Sequence, residues 1–154
     1  MRGFTLIELL VTLALIAILA SVTVPLAQVS IQRNKEQDLK QALREIRNAL
    51  DAYKQAGDEG RIFRAADASG YPPSLQTLVA GVPDIKDARG QKIFFLRRIP
   101  RDPMNEDEQA SADATWGKRS YRSEADNPRP GEDVYDVYSL SDKSGSNGTP
   151  YRSW

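Results

Sequence analysis

The sequence has no cysteine and no histidine. Without cysteine it has no disulfide, no iron–sulfur cluster and no thiol nucleophile, and the usual redox clue to compartment is silent. Without histidine it has no Ser-His-Asp or Cys-His catalytic group and no imidazole ligand for zinc or haem. Net charge is missing as well: 21 Lys and Arg stand against 21 Asp and Glu. A balanced chain argues against holding nucleic acid or a membrane surface by bulk charge. There is no G-x-x-x-x-G-K-[ST], no G-x-G-x-x-G and no S-x-x-K. Carboxylates are plentiful, but nothing in the sequence groups them into a glycosidase-like pair. The chain is expected not to be an enzyme. Its 154 residues amount to one domain with little left over, and they contain no internal repeat.

What is present is unevenly placed. Phe4 to Ala27 holds 18 apolar residues among 24, and Leu9 to Gln32 carries no charge. As a helix, such a run would be about 36 Å long, against a hydrocarbon core of about 30 Å. Two readings compete: a cleaved secretory signal and a retained membrane helix. The run exceeds an ordinary signal's apolar core and no A-x-A site closes it, so the retained helix fits the length better. Arg2 favours a cytoplasmic N-terminus, yet Arg33 and Lys35 flank the other end, so the charge rule is ambiguous. Glu8 lies one turn into the run. A carboxylate deep in a bilayer costs on the order of 2.5–3.5 kcal/mol. It sits either near the interface, hydrated and without a role, or against a cation. The helix has no Lys or Arg within reach on that face; a cut before Phe4 would supply an α-ammonium. Pro25 lacks an N–H and is expected to kink or loosen the helix.

Gly3-Phe4-Thr5-Leu6-Ile7-Glu8-Leu9-Leu10-Val11 resembles the processing site of type IV pilins and type II secretion pseudopilins. The resemblance implies cleavage between Gly3 and Phe4 by a prepilin peptidase and N-methylation of Phe4. It also implies a role for Phe4 and Glu8 in assembly, the ammonium of one subunit meeting the carboxylate of the next. Such a pair is worth far more in a low-dielectric helix bundle than at a surface. The family often has a proline where Pro25 stands, and the resemblance counts Pro25 with Phe4 and Glu8 among the assembly residues.

Beyond the run the chain turns charged. Leu39, Leu43, Ile46, Leu50 and Tyr53 are spaced 4, 3, 4 and 3, one apolar stripe on an amphipathic helix. Packing against the protein's own core is the favoured reading of that stripe. Gly57-Asp58-Glu59-Gly60 is expected to stop the helix. Gly70-Tyr71-Pro72-Pro73 reads as a turn and 74–79 as a short helix. Strands are expected at 93–96, at 118–123 around Tyr121, and at 134–140, the last with the clearest alternation. Three short strands after one long helix imply an antiparallel sheet on the helix's apolar stripe. The fold class is therefore α+β: a long N-terminal membrane-plus-stalk helix packed on a small antiparallel β-sheet, in the manner of pilins.

Ala49-Leu50-Asp51-Ala52-Tyr53-Lys54, Gly70-Tyr71-Pro72, Ile99-Pro100-Arg101-Asp102-Pro103, Trp116-Gly117, Tyr121 and Tyr135-Asp136-Val137-Tyr138-Ser139-Leu140 follow in order the pattern of the major (G-type) pseudopilin family of type II secretion. Ordinary type IV pilins usually close a C-terminal loop with a disulfide, which this chain lacks the cysteine to form. There are two departures. A polar, acidic insert, 104–115, separates Asp102-Pro103 from Trp116-Gly117 and reads as a surface loop. The C-terminal loop, where the family binds calcium, is here Ser141 to Pro150. Calcium wants about six to eight oxygens, several of them carboxylates. The loop offers the Leu140 carbonyl, Ser141, Asp142 and Asn147, with a single carboxylate and Lys143 beside it. Calcium is an expectation of the resemblance, set against a Gly/Ser-rich loop without metal.

Lys92, Arg97, Arg98 and Arg101 form a local basic cluster. It would suit nucleic-acid phosphates or a neighbour's acidic insert, but a solvated face is the favoured reading, and nucleic acid is not an expected partner. Asn147-Gly148-Thr149 matches a glycosylation acceptor, a pattern too common to weigh.

The resulting division is a leader at 1–3, a transmembrane and assembly helix at 4–28, an amphipathic stalk helix at 29–56 and a periplasmic head at 57–154. By resemblance the chain is a self-assembling subunit of a periplasmic pseudopilus that drives protein export. Its partners would be other copies, other pseudopilins, the inner-membrane assembly platform, the peptidase and the membrane itself. It would be single-pass, with the N-terminus cytoplasmic and the head periplasmic. The alternatives are a minor pseudopilin, a type IV pilin-like subunit for adhesion, motility or DNA uptake, and an exported soluble binding domain.

Overall fold

A computed structural model describes residues 4–154, the side chains of 22–27 excepted. Helix α1 spans Leu6–Asp58. The chain divides into two compact units, one through Lys35 and one from Glu36 to Trp154.

The first unit is the N-terminal part of α1. Its apolar side chains are exposed; Phe4 is 81% accessible, and Leu6, Ile7, Leu10, Leu13 and Ile16 are all exposed too. Among the described residues no helix is long and apolar enough to cross a membrane; the apolar run of the sequence continues through 22–27.

In the second unit the stripe on α1 is core, as its spacing predicts. Leu39, Leu43, Ile46 and Leu50 are buried, and Tyr53 packs against them half-buried. Ala42 and Ala49 are buried beside them and widen the contact. The helix ends at Asp58, inside the Gly57-Asp58-Glu59-Gly60 stretch expected to stop it. Gly60 takes φ +67°, its N–H bonds the Gly57 carbonyl, and the Arg61 N–H reaches the Ala56 carbonyl at 2.8 Å. That pair of bonds satisfies two terminal carbonyls and needs a left-handed residue, which glycine adopts without steric cost.

Helix α2, Leu75–Ala80, buries Leu75 and Leu78. Strand β1, Val82–Pro83, pairs antiparallel with β2, Lys92–Ile93. The strand expected at 93–96 thus keeps only its first residue. Phe95 and Leu96 both donate backbone N–H bonds to the Leu78 carbonyl. The apolar run turns inward there: Leu96 is buried, and Phe95 meets Tyr53 edge-on at 5.3 Å.

Strand β3, Trp116–Arg119, pairs antiparallel with β4, Asp136–Ser139, in the register Trp116↔Ser139 to Arg119↔Asp136. The strand expected around Tyr121 begins two residues earlier and ends before that tyrosine, whose N–H is taken by the Asp133 carboxylate at 2.8 Å. The strand expected over 134–140 is shorter, because the Val134 N–H leaves the ladder for the Pro72 carbonyl. One antiparallel sheet of three strands was the expectation; among the described residues there are two separate two-stranded sheets. The class, α+β with a long N-terminal helix and small antiparallel sheets, stands.

Three sequence motifs converge beside β3 and β4. Asp102 is fully buried. One carboxylate oxygen accepts the Ser139 hydroxyl at 2.6 Å and the other the Met104 N–H at 2.8 Å. The buried Trp116 donates its indole N–H to the Pro100 carbonyl at 2.7 Å. Gly117 leaves room for the Tyr138 ring, since a Cβ there would lie 2.2 Å from it. The insert at 104–115 is a surface loop as expected, but a fastened one. The Arg101 guanidinium donates to the Asp107 and Ala110 carbonyls. The insert ends in a 3-10 turn, Asp113–Thr115, whose Thr115 is buried.

Candidate functional site: the helix start and the C-terminal loop

Helix α1 begins on a reciprocal cap. Glu8 accepts bonds on Oε2 from the Thr5 N–H and the Thr5 hydroxyl, both at 3.1 Å. The Glu8 N–H in turn reaches Thr5 Oγ1 at 3.3 Å. This is the Thr-x-x-Glu capping box, in which two otherwise orphaned N–H groups are satisfied and an acid sits where the helix dipole favours it. The pattern was legible as Thr5-Leu6-Ile7-Glu8, and reading Glu8 only as an anomaly in an apolar run misses it. The cap gives Glu8 a partner within its own chain and holds its carboxylate at the start of the helix. Gly3 lies outside the described residues. Phe4 is exposed. Pro25 is in α1, and its side chain lies outside the described set.

At the other end of the sequence stand the four residues named for calcium, Leu140, Ser141, Asp142 and Asn147. Leu140 and Asp142 are exposed. Ser141 Oγ accepts the Lys143 N–H. Asn147 Oδ1 accepts the Thr149 N–H at 3.0 Å and the Thr149 hydroxyl at 2.7 Å. Among the described residues no group of three or more Asp and Glu is placed to hold a metal ion.

The loop is instead met by a residue the sequence reading did not single out. Glu36, on α1 and only 5% exposed, accepts the Ser146 N–H at 2.8 Å and the Tyr151 hydroxyl at 2.9 Å on Oε1. It accepts the Ser146 hydroxyl at 2.6 Å on Oε2. Arg47, eleven residues further along, donates to the Asp136 carboxylate at 2.8 Å and to the Val137 and Trp154 carbonyls. No local pattern marks either residue, because their partners lie about ninety or more residues away.

The members of the basic cluster have different surroundings. Lys92 reaches the Ala80 carbonyl and Arg101 holds the insert of its own chain, while Arg97 and Arg98 are exposed. The Arg61 guanidinium grips Asp84 at 2.6 Å. That contact first, and the Lys86 N–H second, hold the Asp84 carboxyl below its ordinary range. A cleft of about 590 Å³ lies between the segments around Tyr71 and Arg129. Its lining includes Arg64, Arg122 and Arg129 together with Asp67, Glu132 and Asp133, three charges of each sign.

Residues 1–24 match the family described as the prokaryotic N-terminal methylation motif. The chain is 31% identical over 121 residues to type II secretion system core protein G of Klebsiella pneumoniae, covering 76% of this chain and 79% of that one. It is 32% identical over 151 residues to the protein of the same name from Pectobacterium carotovorum subsp. carotovorum, covering 92% and 87%. To that of Escherichia coli (strain K12) it is 34% identical over 115 residues, covering 69% and 68%. No solved structure matches the chain with significance. With the methylation motif at its start and likeness along most of its length, the chain belongs to the type II secretion system core protein G family.

Proposed function

We propose that the chain is a structural subunit of a type II secretion pseudopilus, joined to its neighbours through the N-terminal part of α1. One observation carries this: a prepilin-type methylation motif on residues 1–24 heads a chain related to core protein G over most of its length. The exposed apolar side chains from Phe4 onward support it physically. Apolar surface on that scale is stable only against lipid or other helices. The role is mechanical rather than catalytic, and any motive energy comes from a separate nucleotide-hydrolysing protein.

In this reading a prepilin peptidase cuts between Gly3 and Phe4, and Phe4 is N-methylated. The precursor spans the inner membrane once through the apolar run Phe4–Ala27, with the head in the periplasm. Glu8 then has two successive partners. Its own Thr5 caps the helix, and the Phe4 ammonium of a neighbouring subunit neutralises it on assembly. Without that cation a buried carboxylate is strongly unfavourable, so the pair sets the axial step between subunits.

The test combines processing with assembly. Expressed with a prepilin peptidase, the chain should yield a product beginning at N-methylated Phe4, seen by intact mass. Glu8→Leu should be processed and membrane-bound, yet fail to form filaments or to support secretion. A soluble product cut near Ala27, or normal filaments from Glu8→Leu, overturns the reading.

A further inference from the structure

In the family that this chain resembles, the C-terminal loop is associated with calcium. The donors present here do not fit that ion. Calcium is held by about six to eight oxygens, of which several are carboxylates. The segment from Leu140 to Pro150 contains one carboxylate, Asp142, and it is exposed with a lysine next in sequence. The Asn147 side-chain oxygen already takes two bonds from Thr149.

The loop is closed by other means at each level. Its tip is a tight turn: the Gly148 N–H bonds the Gly145 carbonyl at 2.9 Å, with Gly148 at φ +80°. Its two arms are joined by the Gly145 N–H to the Thr149 carbonyl at 2.8 Å and by the Tyr151 N–H to the Lys143 carbonyl. Lys143 forms an ion pair with Glu106 of the insert. The Trp154 indole donates to the Thr149 hydroxyl at 2.8 Å, and the ring covers Gly145, where a Cβ would come within 2.3 Å of it. At the base, the Glu36 carboxylate receives three donors from Ser146 and Tyr151.

We propose that Glu36 is the clasp of the C-terminal loop and takes the place of a metal: one carboxylate on the stalk helix gathers the loop's own donors, so that the loop is ordered without calcium. The polarity of the closure is inverted. A cation draws in oxygen acceptors, whereas an anion draws in N–H and O–H donors. Ser146 and Tyr151 supply three of these at 2.6–2.9 Å, in the range of strong, charge-assisted bonds. The inference concerns the folded head alone and does not depend on assembly into a filament.

The test uses the full chain in detergent micelles. A calcium site with a dissociation constant of about 50 μM would be filled at about 5 mM calcium and would raise the melting temperature by several degrees through linkage. The expectation is instead equal melting, to within about 1 °C, in calcium and in chelator, and no binding heat by calorimetry. Tryptic cleavage after Lys143 reports on the loop directly. Glu36→Gln preserves shape but removes the charge, and should speed that cleavage at least about tenfold, equivalent to about 1.4 kcal/mol of closure. Asp142→Ala should leave it unchanged. A calcium-dependent rise in melting temperature that Asp142→Ala abolishes overturns the proposal, and so does Glu36→Gln with wild-type cleavage. If Glu36→Gln fails to fold, the calcium titration of the unaltered chain still decides.

Discussion

The two units of the molecule use apolar residues in opposite ways. In the first, they are exposed from Phe4 to Leu19 and encircle the helix. In the second, they form a single stripe on α1 and are covered by Leu75, Leu78, Leu96, Trp116, Val137 and Tyr151 of the same chain. An all-round apolar helix cannot satisfy itself; its stability is referred to lipid or to other subunits. A striped helix can bury its one face at home. The difference separates the information for assembly from the information for folding along one continuous helix.

That separation can be broken experimentally, most strongly at Glu8. If Glu8 pairs with a neighbour's Phe4 ammonium as proposed, Glu8→Leu should reduce filament formation by more than about a hundredfold, because unpairing a buried ion pair costs about 3–5 kcal/mol. The melting of the head, followed by tryptophan fluorescence, should not change. Leu50→Ala should do the reverse. Leu50 is fully enclosed in the core, and truncating such a side chain costs about 2–5 kcal/mol; urea unfolding should show it while peptidase processing proceeds normally. If either substitution moved both readouts equally, the two units would not be separate in function.

Asp102→Ala sharpens the comparison within the head. It leaves the Ser139 hydroxyl and the Met104 N–H without their acceptor in a buried place, at a cost of about 1–3 kcal/mol by denaturant titration. The smallest effect is in acid. The Asp84 carboxyl is held low by Arg61, so its contribution is complete above the unfolded carboxyl value of about 4 and is lost as pH falls through the folded value. Asp84→Asn should therefore lose less stability than the wild type between neutral pH and that acid range, and the two should converge below it.

Much of this was legible in the sequence because it is local or periodic. The 4-3-4-3 stripe predicted which face of α1 is buried, and α2 and the best strand lay within a few residues of their places. The ordered motifs predicted the family. What escaped depends on distant partners. Glu36 reads as one more charge on a polar helix until Ser146 and Tyr151 arrive from more than a hundred residues away. Ile93-Phe94-Phe95-Leu96 has strand-like composition, but the Leu78 carbonyl draws its backbone inward after two residues, a tertiary override of local propensity. The polar insert looked like loop because it is rich in acidic and polar residues. Its fastening comes from Arg101 bonding main-chain carbonyls, which composition does not display. The Thr5–Glu8 cap was readable, and was hidden only by the stronger signal of an acid in a hydrophobic run.

Gly117 and Tyr138, opposite one another in the β3–β4 ladder, claim one volume between them. A side chain at the first position needs the ring at the second to leave. The two positions should therefore drift as a unit. Relatives that place alanine or larger at the first should carry a small residue at the second, and a chimera that mixes the two solutions should fold poorly although each parent folds well.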